Sequence, residues 1–296
     1  MKHRDIIQAL QKADLKTIPI ELVRENLKLF EQFGVMVTTL HPGKRIIRAR
    51  LSEKESFDNI SALSYKPQKY NSTFQRASTP YKTMFYGSIV PEIQAESEPS
   101  TARITILFEI SEFVRDVNSI GELDITFSAW DVIENIDLVS IVHHKKFARP
   151  TQLSINLQKQ FEELVAKNPD LEIPSLEISD YLANEFAKST ISDHTDYTIS
   201  ATYSEIISEK YDGILYPSVR LAGEGINIAL KPETVDAKLQ FIGASECRIY
   251  KNKLPVFLDN LTNAQIYNGT SLKFLPLKAP YFLGEEFSRK QVGLLK

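Results

Sequence analysis

The sequence predicts an α+β fold: a mixed β core with flanking helices. Three observations carry this. Apolar residues at helical spacing open the chain and return in its middle. Short β-branched and aromatic runs cluster early and late, without the regular strand–helix alternation of a doubly wound sheet. The chain has 296 residues, 43% hydrophobic and 25% charged, enough to bury a sizeable core.

Each element has its own signal. In "RDIIQALQKADL", Ile6, Ile7, Leu10 and Leu15 recur at helical spacing. In "TIPIELVRENLKLFEQFG", Pro19 suits a first helical turn, Leu22, Leu27, Leu29, Phe30 and Phe33 follow, and Gly34 reads as the stop. Residues 1–34 are therefore expected to form an N-terminal helical hairpin. "GVMVTTLHPGKRIIRARL" reads as strand, Pro42-Gly43 turn and strand. A polar loop follows, of a length that compact domains reserve for function, and it ends in the apolar run "MFYGSIV". "PEIQAESEPS" reads as an acidic surface insertion.

In "STARITILFEISEFVRDVN", the β-branched run Ile104-Thr105-Ile106 favours a strand. Ile106, Ile110, Phe113, Val114 and Val117 share a helical face, with Ser100 as a cap, and helix is the preferred reading. "ELDITFSAWDV" and "DLVSIVHHKKF" are strands. "TQLSINLQKQFEELVAKNP", "SLEISDYLANEFAKST" and the stretch near 200–210 are helices. "YDGILYPSVRLAGEGINIAL" supplies two strands around a glycine-rich turn, and a helical turn and another strand follow to residue 250. The final residues, 251–296, read as peripheral strands and loops.

Several function classes lose support. The net charge is -3 and the pI about 6.0, without the basic excess of a phosphate-backbone binder. Cys247 is the single cysteine, so no internal disulfide and no multi-cysteine zinc site can form. No signal-peptide pattern and no run of about 18 apolar residues is present, so a cytoplasmic protein off the membrane is the expectation. A Gly-x-Ser-x-Gly elbow and a phosphate-binding Gly-x-x-x-x-Gly-Lys loop are both missing. His143 and His144 are neighbours, point to opposite faces of a strand and sit in a basic run, so a solvated face is the favoured reading. Asp193, His194 and Asp196 resemble a ligand cluster, but loop polarity accounts for them equally well.

What remains is scattered: Arg48 or Arg50, Arg76, Tyr86, a glutamate, and Ser218 before Arg220. Taken one at a time, each has an ordinary structural explanation. In order along the chain, "IIRARL", "FQRASTP…TMFYGS", "TARITILFE" and "YDGILYPSVRLAGEGINIAL" resemble the RES domain family, named for its Arg, Glu and Ser. The resemblance spans about residues 35–250, and the late segment is its most specific part. It implies a fold similar to ADP-ribosyltransferase toxins and consumption of NAD+ as substrate, by hydrolysis or phosphorolysis of the nicotinamide–ribose bond. It also implies a toxin role with an antitoxin partner. By position, the family's catalytic set falls on Arg76, Glu109 and Ser218, with Glu96 or Glu92 as the alternative glutamate. Its NAD+-binding set falls on Arg48, Arg76, Tyr86 and Ser218. A binding protein without catalysis, or an ADP-ribosyltransferase acting on a macromolecule, is the alternative.

These residue types suit that chemistry. Arginine's planar fork binds a pyrophosphate bidentately. An aromatic face such as Tyr86 suits cationic nicotinamide. Breaking the glycosidic bond builds positive charge at the ribose C1′, which a preplaced carboxylate stabilises. A serine hydroxyl bonds to ribose or to the carboxamide. Nicotinamide leaves neutral, so neither a metal nor a strong general acid is required.

Overall fold

A computed structural model describes residues 2–30, 33–52, 56–91, 102–143 and 147–295. The proposed insertion, with Glu92 and Glu96, lies largely outside these residues, as does His144. In chain order the elements are α1 (His3–Lys12), α2 (Ile20–Lys28), β1 (Met36–Leu40), β2 (Arg45–Leu51), β3 (Phe85–Ile89), α3 (Ala102–Ile110), α4 (Glu112–Arg115), β4 (Ile120–Val132) and β5 (Ile136–Ser140). There follow α5 (Gln152–Ala166), α6 (Pro169–Phe186), α7 (Thr198–Ser208), β6 (Gly213–Pro217), β7 (Ile226–Leu230), α8 (Pro232–Lys238), β8 (Leu239–Asn252), β9 (Val256–Tyr267), β10 (Ser271–Pro276) and α9 (Glu285–Gln291). The class is α+β, as expected, and α1 and α2 supply the N-terminal helical hairpin.

The chain divides into two compact units. The first comprises Met1–His41, Lys66–Tyr86 and Glu134–Lys238; the second comprises Pro42–Tyr65, Gly87–Ile133 and Leu239–Lys296.

The first unit holds the strand order β1-β5-β6-β7. β1 runs antiparallel to β5, β5 parallel to β6, and β6 antiparallel to β7. A parallel pair needs a long crossover, and α5, α6 and α7 provide it between β5 and β6. The main core joins Ile6 and Leu10 of α1, Val23 and Leu27 of α2, Ile178 and Phe186 of α6, Ile199 and Tyr203 of α7, and Ile214 and Tyr216 of β6. Each such side chain contributes about 1.5–3 kcal/mol by leaving water. The predicted helical face of α1 is therefore the buried one. At its N-terminal end, Arg4 and His3 both bond the Glu177 carboxylate, at 2.7 Å from Arg4 Nε and 2.7 Å from His3 Nε2.

Local details depart from the sequence reading in two places. α2 ends at Lys28, well before Gly34. Gly34 serves a close approach instead: its N–H donates to Ser175 Oγ at 2.8 Å, and an added Cβ would lie 3.1 Å from Val165. α6 begins at Pro169, six residues ahead of the predicted "SLEIS" start. Pro169 takes the first helical position, where no N–H is needed, and Pro174 is carried inside the helix.

The second unit is an antiparallel sheet in the order β3-β2-β4-β8-β9-β10. The helical preference over 100–118 is realised among the described residues as α3 and α4, with Ser111 Oγ accepting Val114 N–H at 3.2 Å as the cap of α4, while the expected Ser100 cap lies outside the described residues. α3 sets Ile106 and Leu107 against Ala49, Ile125, Phe127 and the buried Cys247. Burial pushes the Cys247 thiol up to about 11. α9 is tied to β9 by buried Asp259, which accepts Leu283 N–H at 3.1 Å, Gly284 N–H at 3.0 Å and Ser288 Oγ–H at 3.0 Å.

Candidate functional site

Three of the predicted site residues lie in the first unit: Arg76, Tyr86 and Ser218. Arg76 sits in a loop ordered by its own backbone. Gln75 and Ser78 exchange N–H···O bonds of 2.9 and 3.2 Å, and Asn71 Nδ2 donates to Thr79 O at 2.8 Å. Tyr86 closes the loop from β3. Its hydroxyl accepts Ala77 N–H at 3.0 Å and pairs with Ser78 Oγ at 2.8 Å. Burial pushes the Tyr86 phenol up to about 12, against the pull of these two bonds. The structure thus brings Arg76 and Tyr86 together through one residue, Ala77.

The Arg76 side chain is 7% exposed. Its Nη1 donates to Phe186 O and its Nη2 to Lys188 O, the latter at 3.1 Å, and the guanidinium lies 5.1 Å from the Tyr197 ring centroid. Phe186 is the last residue of α6, so its carbonyl is among those a helix leaves without an internal partner. A cation there also complements the helix dipole. Arg220 reaches the same segment, donating from Nη1 to Ser189 O at 2.8 Å. Lys188 Nζ donates to Glu185 Oε2 at 2.5 Å and to Asp196 O at 3.2 Å. Burial holds the Glu185 carboxyl above the ordinary range, against the hydrogen bond and charge of Lys188. Cations from three parts of the sequence meet around residues 185–189.

Ser218 directly follows the buried strand β6 and opens the glycine-rich turn. Its N–H donates to Gly225 O at 3.0 Å, its carbonyl accepts Gly223 N–H at 2.8 Å, and its Oγ accepts Leu221 N–H at 3.3 Å. Gly223 has φ +96°, and an added Cβ would sit 2.5 Å from the Phe147 Cβ. The turn therefore needs glycine on two grounds: the backbone conformation and the ring packed against it. Ser218 is 0% exposed.

Arg48 and Glu109 lie in the second unit. Arg48 is half-buried in β2, opposite Ser128 of β4. Glu109 is half-buried on the last turn of α3, and its carbonyl accepts Arg115 Nη1 at 3.1 Å.

Sequence reasoning passed over Tyr197, Lys188 and Glu185, because nothing local marks them as neighbours of Arg76. The Asp193–Asp196 cluster turns out to be a cap. Asp193 accepts Thr195 N–H at 3.0 Å, and Asp196 accepts Ser192 N–H at 2.7 Å. Both carboxyls are held below the ordinary range; at Asp193 the Thr195 backbone N–H leads, and at Asp196 the hydrogen bonds of Ser192 and Asp193 outweigh burial. That capping box builds the short turn that carries Tyr197 to Arg76. His143 was expected on a solvated face; it is buried, with its ring 4.7 Å from that of Phe147. Among the described residues, no group of three or more His, Cys, Asp or Glu side chains is placed to hold a metal ion. Among them, too, no helix is long and apolar enough to cross a membrane.

The Arg76 loop is anchored by Glu205 of α7, whose side chain is 11% exposed. It accepts Thr79 Oγ1 at 2.8 Å, Lys82 Nζ at 2.6 Å and Arg24 Nη2 at 2.9 Å. Burial raises its pKa, but the bonds and charges of Lys82, Thr79 and Arg24 outweigh burial and hold it below the ordinary range. A depressed carboxylate stabilises the fold above its unfolded pKa, about 4.3, and that stability is lost as pH falls through the folded value. Glu205→Gln is therefore expected to lower stability at neutral pH by about 1–3 kcal/mol. The gap to the parent should shrink below about pH 4, as urea unfolding across pH will show.

The fold is α+β, and its first unit holds a buried arginine, Arg76, a half-buried tyrosine, Tyr86, and a buried serine, Ser218. Residues 138–247 match the family model of the RES domain. The matched stretch starts in β5, ends in β8, and holds Ser218, Arg220 and His143 but not Arg48, Arg76, Tyr86 or Glu109. No curated protein matches the chain.

Proposed function

We propose that the protein consumes NAD+, cleaving the nicotinamide–ribose bond with water or phosphate as acceptor. The observation that carries this reading is Ser218, on a glycine turn inside the RES-matched stretch. Arg76 and Tyr86, held by one loop, supply a cation and an aromatic ring in the same unit. In this reading Arg76 binds the substrate's phosphates and Tyr86 faces nicotinamide. The Ser218 hydroxyl holds the ribose or the carboxamide. The protein acts in the cytoplasm as a toxin held in check by an antitoxin protein.

Free nicotinamide released from NAD+ by the purified chain tests this. Ser218→Ala should keep the turn, because the backbone bonds of Ser218 to Gly225 and Gly223 do not involve its Oγ. It should lower turnover by about 10²–10³-fold, the usual effect of removing one hydrogen-bonding group that acts in a transition state. Equal turnover in the parent and Ser218→Ala removes the basis of the assignment. Arg48→Ala and Glu109→Gln, run alongside, test the roles that the family resemblance gives those two residues.

A second reading is binding without cleavage, and one observation favours it. Arg76 spends its guanidinium on two backbone carbonyls and the Tyr197 ring. Heat of binding with ADP-ribose, in the absence of nicotinamide release, would support this alternative. Transfer of label from NAD+ to lysate protein or nucleic acid would support an ADP-ribosyltransferase.

A further inference from the structure

His143 is a buried, titratable ring that no role above uses. Its position follows from the strand register. Leu138 faces Gly213, Val139 faces Ile214 and Ser140 faces Leu215 in the parallel pair β5–β6. The pairing continues beyond Ser140, since Ile141 N–H donates to Leu215 O at 2.8 Å. Extrapolated three residues past the last pair, Ser140 and Leu215, the register sets His143 level with Ser218.

The two side chains also share a face. Ile141 joins the core cluster that contains Ile214 and Tyr216, whereas Val142 joins a different cluster, with Phe161 and Val165. If the alternation of β5 and β6 is carried past their ends, residues 141 and 143 fall on the face of residues 214, 216 and 218. Ala77 belongs to that same cluster and Tyr86 packs against it, so the Arg76 loop lies on this face as well. His143 is 8% exposed. Its ring meets Phe147, and Phe147 is the ring that fills the space over Gly223 in the Ser218 turn. The carboxyl ends of parallel strands are where open sheets collect their ligands.

We propose that His143 is a catalytic residue of the NAD+ cleavage proposed above, on which this inference rests: it is the base that takes the proton of the attacking water. As the water oxygen bonds to ribose C1′, the C1′–N1 bond breaks and its electron pair stays on the nicotinamide nitrogen, which becomes neutral. The water's proton passes to the imidazole and then to solvent, leaving ADP-ribose. Imidazole is the side chain most often given this task.

The test compares the parent with His143→Gln, which keeps the volume, and with His143→Ala. Turnover of NAD+ in water is expected to fall by about 10²–10⁴-fold in both, with NAD+ affinity by calorimetry unchanged. Azide carries no proton to remove, so it should restore turnover in His143→Ala and give azido-ADP-ribose; repair of a packing defect would not produce that adduct. Equal turnover in the parent and both variants overturns the base role and leaves the NAD+ reading standing. Turnover in none of the three overturns both. Loss without azide rescue overturns the base role whatever the affinity.

Discussion

Gly213→Ala should be the most damaging single-methyl change in the first unit. An added Cβ at Gly213 would lie 2.1 Å from Ala229 O and 3.0 Å from both Ala229 C and Leu230 Cα. All three are backbone atoms of β7, the strand paired with β6, so no side chain can swing aside to make room. β6 is also buried along its whole length. The strands must separate, and separation breaks the register of Gly213 with Leu230 and of Ile214 with Ala229. Overpacking of a tight core typically costs about 1–3 kcal/mol, and a contact with rigid backbone belongs at or beyond the upper end. The same substitution at Gly243, where nothing lies within 4 Å of the added Cβ, is the control. Its effect should stay within about 0.5 kcal/mol. Urea midpoints of the two variants check the contrast, and a Gly213→Ala midpoint equal to that of Gly243→Ala would contradict it.

Arg76→Lys is expected to lose stability and turnover together. The guanidinium fork reaches Phe186 O and Lys188 O at once while lying over Tyr197. An ammonium is a single point donor and cannot span both carbonyls. One buried carbonyl left without a donor costs about 1–3 kcal/mol, and Arg76→Ala strands both. Heat denaturation of the two variants gives the order Ala below Lys below parent. NAD+ turnover is then measured well below the lower midpoint, where the variants remain folded. On the proposed function it should still fall sharply in Arg76→Lys, because the lost fork also served the pyrophosphate. Retained turnover in a destabilised Arg76→Lys would make Arg76 a helix cap and nothing more.

Periodicity made the helices legible. Ile6 and Leu10 are spaced for one face and that face is buried, and the pattern over 152–166 likewise produced α5. Ser218 was legible because glycines mark its turn. Arg76 could be named from its neighbours in sequence, but its partners could not: Phe186 and Lys188 are more than a hundred residues away, and only the chain's return along α6 brings them close. His143 was misread for a physical reason. Alternation says that residues 143 and 144 point to opposite faces; it does not say which face is covered. That depends on β6 lying parallel to β5, with three helices between them in sequence. Gly34 was misread in the same way, since close approach to α5 leaves no local trace.

Cys247 gives the protein a built-in clock. It is the single thiol in the sequence, it is fully buried on β8, and burial pushes it up to about 11. The thiolate is the form that attacks a thiol reagent, so in the folded protein almost nothing is available to react. Labelling then proceeds only as fast as the second unit opens. Its rate in each variant reads the opening of β8 and the strands paired with it.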